Sequence, residues 1–234
     1  MIENKIKKFY SKLKFPGLYS RKDFKFYEKH GITNVYLKEI DQYLIDGMTM
    51  LDIGCGSGFI SNLFAINKPN CKITALDFSD SIDYGISFAK QNHITNITWI
   101  KKDFLKFNSK KQYDTIICCG VLHHIPEYLS ALDKMKKLLK PNGKLLLAVY
   151  NTNGKILKQI FNLKYHNNIL YTDQELNPFE LSFSNKQVCN MCNDLEFHSA
   201  SPSISNRFID FLALFNSENG GLVLYVFNKQ KIST

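Results

Sequence analysis

Apolar residues recur along the chain in short runs, and segments with helical periodicity separate most of these runs. The strand-like runs are MTMLDIG (48–54), KITALDF (72–78), ITWIKKD (97–103), YDTIICCG (113–120) and GKLLLAVY (143–150). The helical segments lie near residues 58–67, 80–92 and 127–140. Because strands that alternate with helices pair in parallel, this order predicts an α/β domain with helices on both faces of one sheet.

The two ends of the chain carry weaker patterns. Near the start, four apolar residues stand at helical spacing among lysines, which predicts an amphipathic helix: Ile2, Ile6, Phe9 and Leu13. A Pro16–Gly17 pair then predicts a turn, and helical periodicity resumes over 34–44. The part after residue 150 predicts helices at 154–163, 184–194 and 206–216 and strands at 195–200 and 221–229.

These patterns predict one domain over residues 35–234 with a helical extension, 1–34, that acts as a lid. Segment 151–184 is rich in Asn, Tyr and Phe, and we interpret it as a second, inserted lid over the substrate. The sequence has no run of 18 apolar residues and no apolar core of a secretory signal near its start. A cytoplasmic location is therefore expected.

The formal net charge of +9 is concentrated near the start of the chain, where residues 1–40 hold ten basic and four acidic side chains. Such a segment suits RNA or an anionic membrane, but it is also typical of a solvated helix face. Of the 30 basic residues, only Arg21 and Arg207 are arginines, the side chains best suited to phosphates and base edges. Nucleic acid is a partner that the charge allows and the composition does not favour.

The six cysteines do not predict a metal or redox site. Cys118 and Cys119 lie in an apolar run, where cysteine behaves as a small buried hydrophobe. Cys189 and Cys192 form a lone CxxC, whereas a structural zinc site needs about four ligands. Reduced thiols and no bound metal are expected.

The stretch LDIGCGSGF, residues 51–59, has three glycines at alternate positions after an acid. It contains no lysine and no GxxxxGK[ST] pattern, which argues against a phosphate-binding P-loop. Phe59 stands where a dinucleotide fingerprint needs its third glycine. Asp52 would repel a pyrophosphate but suits a ligand that carries a cationic amine. S-adenosylmethionine, which has an amine and no phosphate, satisfies these conditions.

Several motifs in order then resemble the class I S-adenosylmethionine-dependent methyltransferases over about residues 35–230. They are LDIGCGSG, the LD of ITALDFS, KKDF, YDTIICCGVLHHIPE and LLKPNGKLLL. The resemblance implies a single Rossmann-like, doubly wound, mostly parallel sheet of seven strands whose last strand is antiparallel. It also implies S-adenosylmethionine as cofactor, S-adenosylhomocysteine as product, and the branch of the family that acts on small molecules.

The resemblance assigns the cofactor residues to the ends of the strands, where open α/β sheets bind ligands. Asp77 would accept hydrogen bonds from the ribose, although it is also suited to capping a helix. Asp103 would accept a hydrogen bond from the adenine amino group, unless it is a solvated loop acid. The other implied cofactor contacts are the donor loop with Asp52, Gly54, Cys55 and Gly56, the adenine neighbours Phe78 and Phe104, and the carbonyls near Cys119 and Gly120.

Two histidines follow the fourth strand, and the resemblance favours His124 over His123 as the group that takes a proton from the acceptor. Each is equally suited to packing without a catalytic role. The aromatic residues of the two lids, among them Tyr10, predict a partly apolar substrate pocket, with plain core packing as the alternative. The predicted acceptor contacts are Tyr19, Arg21, His124 and Tyr165.

The methyl acceptor is predicted to be a small molecule with an oxygen or nitrogen nucleophile. CGVLHHIPE stands where a methyltransferase for nucleic-acid amino groups often carries [DNS]PP[YFW], which disfavours that reaction. Two alternatives stay open: an RNA-modifying enzyme that uses the basic extension, and a binding or partner module without catalysis. The sequence does not predict an oligomeric state.

Overall fold

The computed structural model describes residues 2–12, 17–32, 34–153, 177–201 and 221–230. Within these ranges seven strands form one sheet. They are β1 (Thr49–Ile53), β2 (Lys72–Asp77), β3 (Ile97–Lys101), β4 (Tyr113–Cys119), β5 (Leu139–Tyr150), β6 (Glu196–Ser201) and β7 (Leu222–Asn228). Their order is β3-β2-β1-β4-β5-β7-β6, and β7 is antiparallel to both of its neighbours while the other pairs are parallel. The predicted doubly wound sheet with an antiparallel last strand is confirmed.

The described helices flank this sheet. They are α1 (Ile2–Lys12), α2 (Arg21–His30), α3 (Val35–Tyr43), α4 (Phe59–Asn67), α5 (Ile82–Gln91), α6 (Tyr128–Leu138) and α7 (Asn185–Met191). Short 3-10 turns follow β3 at Phe104–Lys106 and β4 at Leu122–His124. No helix in the described ranges is both long and apolar enough to cross a bilayer.

The inner strands β1, β2, β4, β5 and β7 bury both of their faces because helices cover the sheet on each side, whereas β3 and β6, at its edges, are partly exposed. On β5, Leu145, Leu147 and Val149 pack with residues of α6, whereas Leu146 and Ala148 pack toward α3 and α4. This alternation explains why the strands appear in the sequence as continuous apolar runs. Since β1 to β4 are parallel, their carboxyl ends meet at one edge, where the site lies.

Two elements differ from the sequence prediction. Strand β5 begins at Leu139, not at 143, because Leu139 pairs with Tyr113 before the chain bulges and pairing resumes between Lys144 and Thr115. Helix α2 was not predicted. It begins where the Ser20 backbone N–H donates to Asp23 Oδ2 at 2.6 Å, a local cap that supports a short, highly charged helix.

Several predicted features fall on residues that the structure does not describe. The predicted helices at 154–163 and 206–216 lie outside the described residues, and so does most of the inserted segment 151–184. The division into an extension, 1–34, and a domain, 35–234, stays a prediction.

Candidate active site

The loop between β1 and α4 contains three glycines that allow its backbone to change direction sharply. Gly54, Gly56 and Gly58 have φ angles of 68°, 55° and 79°, a region that disfavours other residues. A Cβ atom on Gly54 would lie 2.3 Å from Val121 Cγ2, so the loop also packs too closely for a side chain there. The N–H groups of Gly54 and Cys55 both donate to the Leu76 carbonyl, which ties the loop to β2. Glycine is therefore required here by both conformation and packing.

Asp77 ends β2 and faces this loop. Its Oδ2 accepts the Gly56 N–H at 2.8 Å and its Oδ1 accepts the Ser79 N–H at 2.7 Å. The side chain is largely buried yet lines a cavity at the sheet edge, and burial raises the pKa of its carboxyl. Each carboxylate oxygen has a second lone pair for a ligand hydroxyl. The Asp77 carboxylate is therefore placed to accept hydrogen bonds from a ligand in the cavity.

The cavity enclosed by these loops has an empty volume of ≈ 1020 Å³, which includes space open to solvent at its mouth. The carboxyl ends of β1 to β4 all contribute to its wall. Nine of the predicted site residues line it: Gly54, Gly56, Asp77, Phe78, Asp103, Phe104, Cys119, Gly120 and His124. Folding therefore brings most of the predicted set around one space.

The end of β3 contributes Asp103 and the buried ring of Phe104. Asp103 Oδ1 accepts the Leu105 N–H at 2.8 Å and so caps the 3-10 turn that follows. Lys134 Nζ donates to the carbonyls of Phe104 and Leu105 at 2.8 and 2.9 Å. These bonds hold the turn against α6 and fix the wall of the cavity on this side.

The two histidines after β4 point in different directions. His123 is fully buried, with its ring centroid 4.2 Å from that of Tyr150, and it is not part of the cavity wall. His124 lines the cavity, and its Nδ1 lies 3.1 Å from the Phe179 carbonyl oxygen and 3.2 Å from Asn177 Nδ2. Gly120, with φ 75°, has no heavy atom within 4 Å of where a Cβ would stand.

The helix α1 covers the cavity next to His124. Ile6 and Tyr10 both line it, and the Tyr10 ring lies 5.7 Å from the His124 ring and 6.4 Å from the Phe78 ring. The Tyr10 hydroxyl accepts a hydrogen bond from Asn177 Nδ2 at 2.8 Å, and Ser81 Oγ donates to the Tyr10 carbonyl at 3.2 Å. The N-terminal helix is thus a roof over the cavity.

Two predicted cofactor residues lie beneath the loop and outside the cavity wall. Asp52 is buried, and its Oδ2 accepts the Ser61 hydroxyl at 2.6 Å. Burial raises its pKa to about 7, against the lowering effect of that hydrogen bond. Cys55 is buried beside Ala75 and Ile82, and burial raises the pKa of its thiol well above the ordinary value. Both residues support the loop from below.

Two of the predicted acceptor contacts, Tyr19 and Arg21, lie away from the cavity. Tyr19 is buried in an aromatic cluster with Phe24 and Phe88, and Arg21 forms an ion pair with Glu28 at 2.6 Å. Neither residue is part of the cavity wall. Tyr165 lies outside the described residues.

Two residues near His124, Asn177 and Glu180, were not predicted from the sequence, whereas Phe179 is one of the aromatic residues of the inserted segment 151–184 that predict the pocket. Asn177 and Phe179 contact its ring, and a carboxylate oxygen of Glu180 and one nitrogen each of His123 and His124 lie within 4.8 Å of one another. These residues stand more than 50 positions from His124 in a segment without a motif. Only the abundance of aromatic and amide residues around them marked the segment as part of the pocket.

The comparisons with known proteins agree with this architecture. The family described as "Methyltransferase domain" matches residues 44–203, which is more than half of the chain. The ubiquinone biosynthesis O-methyltransferase of Coxiella burnetii is 33% identical over 145 residues, 60% of this chain and 61% of that protein. The enzyme of the same name in Rickettsia bellii is 29% identical over 112 residues, 47% of this chain and 45% of that protein. The matches thus span less than two thirds of these relatives.

Solved structures resemble the fold at low sequence identity. An N-methyltransferase from Bradyrhizobium japonicum in complex with S-adenosyl-l-homocysteine superposes with a TM-score of 0.57 at 16% identity, covering 85% of this chain and 90% of that one. Coclaurine N-methyltransferase bound to N-methylheliamine and S-adenosylhomocysteine gives 0.59 at 16% identity, over 84% and 70%. By the family match and the fold, the chain belongs to the class I S-adenosylmethionine-dependent methyltransferases.

Proposed function

We propose that the protein transfers the methyl group of S-adenosylmethionine to a hydroxyl oxygen of a small aromatic molecule. The observation that carries this proposal is the continuity of the cavity, which runs from Asp77 and the glycine loop to His124 beneath Tyr10. Oxygen is favoured over nitrogen because the relatives that match over 112 and 145 residues are named O-methyltransferases. The N-methyltransferases resemble this chain in fold alone.

The donor half of the cavity fits S-adenosylmethionine. Gly54 and Gly56 present bare backbone to the cavity, so a ligand can approach the loop closely. Asp77 would bind the ribose hydroxyls, while Phe78, Asp103 and Phe104 would hold the adenine. When bound, S-adenosylmethionine supplies an electrophilic methyl group on a sulfonium centre. The protein's task is to align an acceptor with that group.

His124 is the group that we assign to proton transfer. A carbonyl oxygen only accepts hydrogen bonds, so the contact with Phe179 O calls for a proton on Nδ1. Asn177 Nδ2 lies slightly farther from Nδ1, at 3.2 Å, and donates one of its two N–H groups to the Tyr10 hydroxyl, so we assign the tautomer on the shorter contact to Phe179 O. A neutral ring in this tautomer has its lone pair on Nε2, and we propose that this nitrogen, which is buried in the structure as it stands, takes the acceptor's hydroxyl proton. The transfer balances, since the new oxygen–methyl bond would replace the carbon–sulfur bond and the donor would leave as a neutral thioether.

The acceptor half favours a flat, largely apolar molecule. Its wall includes Ile6, Tyr10, Ile125 and Pro126, and His124 is the residue that we assign to the acceptor's hydroxyl. Aromatic rings at Tyr10 and Phe78 offer faces and edges against which another ring packs. Holding such a molecule in line with the methyl group supplies much of the acceleration, roughly 7–11 kcal/mol, without a covalent intermediate.

The test is a methylation assay with labelled S-adenosylmethionine and matched phenols, anilines and RNA. We expect label in O-methylated phenols. The His124→Gln variant should lower kcat about 100-fold and change the affinity for S-adenosylhomocysteine less than twofold. His198→Gln, an exposed histidine far along the chain, is the control and should behave as wild type.

Other results would contradict the proposal. Label in anilines only would make nitrogen the acceptor. Label in RNA, lost at high salt, would support the RNA-modifying alternative. Donor binding without any transfer to the wider pool of cell metabolites would support a binding module. A cytoplasmic location stays a prediction.

A further inference from the structure

The glycine loop needs support because its own sequence gives it little rigidity. Three of the five residues from Gly54 to Gly58 are glycines with positive φ, and glycine loses the most conformational freedom when it is ordered. Ser57, between the last two of these glycines, is fully buried and does not line the cavity. Its contacts therefore decide how firmly the loop is held from behind.

Residues 17–20, which we call the strap, hold Ser57 from two sides. The Tyr19 hydroxyl donates to the Ser57 carbonyl at 2.7 Å, and Ser57 Oγ donates to the Gly17 carbonyl at 2.9 Å. Asn62 Nδ2, from the first turns of α4, donates to the same Tyr19 hydroxyl at 2.8 Å and lies 3.0 Å from the Gly58 carbonyl. One phenol thus connects the loop to the helix that follows it.

The Tyr19 side chain is itself fixed. Its ring lies 4.9 Å from Phe88, 5.2 Å from Phe24 and 5.3 Å from Phe59, measured between ring centroids. The Tyr84 hydroxyl donates to the Tyr19 carbonyl. Burial raises the pKa of the Tyr19 phenol, so the hydroxyl keeps its proton and remains a donor at neutral pH.

We propose that Tyr19 is a positioning residue for the methyl donor: its hydroxyl holds the glycine loop in the conformation that receives S-adenosylmethionine. Tyr19 does not touch the cavity, so it acts through Ser57 and Asn62. A ligand binds with an affinity reduced by the fraction of protein whose site is already in the competent conformation. Ordering the loop in advance therefore raises donor affinity without adding a contact.

This role replaces the acceptor contact predicted for Tyr19 from the sequence. It also gives the N-terminal extension two separate tasks. Helix α1 covers the acceptor half through Ile6 and Tyr10, whereas the strap supports the donor half from behind. The proposal depends on the cofactor and is independent of the acceptor, so a failure in the phenol assay would not affect it.

The test is calorimetric titration of S-adenosylhomocysteine into the full-length Tyr19→Phe protein. This variant keeps the ring and loses the hydroxyl, and we expect the dissociation constant to rise about tenfold. Hydrogen exchange of peptides covering 54–58 should quicken in the free variant and return to the wild-type rate at saturating ligand. Tyr27→Phe is the matched control, because Tyr27 packs on the same cluster and its hydroxyl is not bonded to the loop.

Unchanged affinity in a folded Tyr19→Phe protein would overturn the proposal. So would an equal loss of affinity in Tyr27→Phe, which would assign the effect to packing of the cluster. If Tyr19→Phe does not fold, as judged by circular dichroism, Asn62→Ala decides. That variant removes the bond between the Tyr19 hydroxyl and α4 through which Tyr19 acts, and wild-type affinity and loop exchange in it would also overturn the proposal.

Discussion

The donor half and the acceptor half of the cavity are built in different ways. The donor half consists of loops at the ends of β1 to β4, and backbone hydrogen bonds to Leu76 and Asp77 fix its shape. The acceptor half consists of side chains from α1 and the turn after β4, and Asn177 and Phe179 hold two of these side chains, Tyr10 and His124, by hydrogen bonds. A shape fixed by the sheet suits an invariant cofactor, whereas side chains from separate segments suit a substrate that differs between enzymes.

Because closely packed backbone fixes the donor half, we expect even one added methyl group in its glycine loop to destabilise the protein strongly. Gly54→Ala places a Cβ 2.3 Å from Val121 Cγ2 and forces alanine to a φ of 68°. We expect the free energy of unfolding to fall by about 3 kcal/mol in urea denaturation, with donor binding lost. Gly47→Ala, with φ 92° and no atom within 4 Å of its Cβ, is the control and should cost about 1 kcal/mol. Equal losses would mean that the close approach to Val121 is unimportant.

Within the donor half, Asp77 should carry the largest share of ligand affinity. Both of its oxygens accept backbone N–H groups, so Asp77→Asn places an amide NH₂ against one of these donors. We expect calorimetry to show roughly 30-fold weaker binding of S-adenosylhomocysteine. Asp83→Asn, an exposed acid that pairs with Lys101, should bind normally. Normal binding by Asp77→Asn would show that the carboxylate does not contribute to donor affinity, which would weaken the distinction between the two halves.

The same difference explains what the sequence could predict. Asp77, Asp103 and the glycines stand at strand ends, and the alternation of apolar runs alone predicts that these ends meet at one edge. Asn177 and Glu180 lie near His124 although they stand more than 50 positions from it in a stretch without a motif, so no local signal predicts their proximity. Tyr19, predicted as an acceptor contact, lies in an aromatic cluster outside the cavity wall, because composition alone does not distinguish the aromatic residues of a lid from those of a core. The phenol's partners, Ser57 and Asn62, become visible only after folding.

The buried acid beneath the donor half predicts a pH effect on stability. Burial raises the pKa of Asp52 from 3.8 to about 7, so the folded state binds this proton more tightly than the unfolded state. The stability that this group contributes is full below about pH 4 and is lost as the pH rises through 7. Between pH 5.5 and pH 7, wild type should lose about 1.6 kcal/mol more unfolding free energy than Asp52→Asn, measured by urea denaturation. Parallel pH profiles would contradict a raised pKa at this position.

The smallest expected effect tests the boundary between the halves. Tyr10 touches both, because its ring lies near Phe78 on the donor side and near His124 on the acceptor side. Its hydroxyl, however, is bonded to Asn177, which also contacts His124 of the acceptor half. Tyr10→Phe should therefore leave the dissociation constant of S-adenosylhomocysteine within twofold of wild type in calorimetric titration. A tenfold loss would mean that the roof helix helps to bind the donor and that the two halves are not independent.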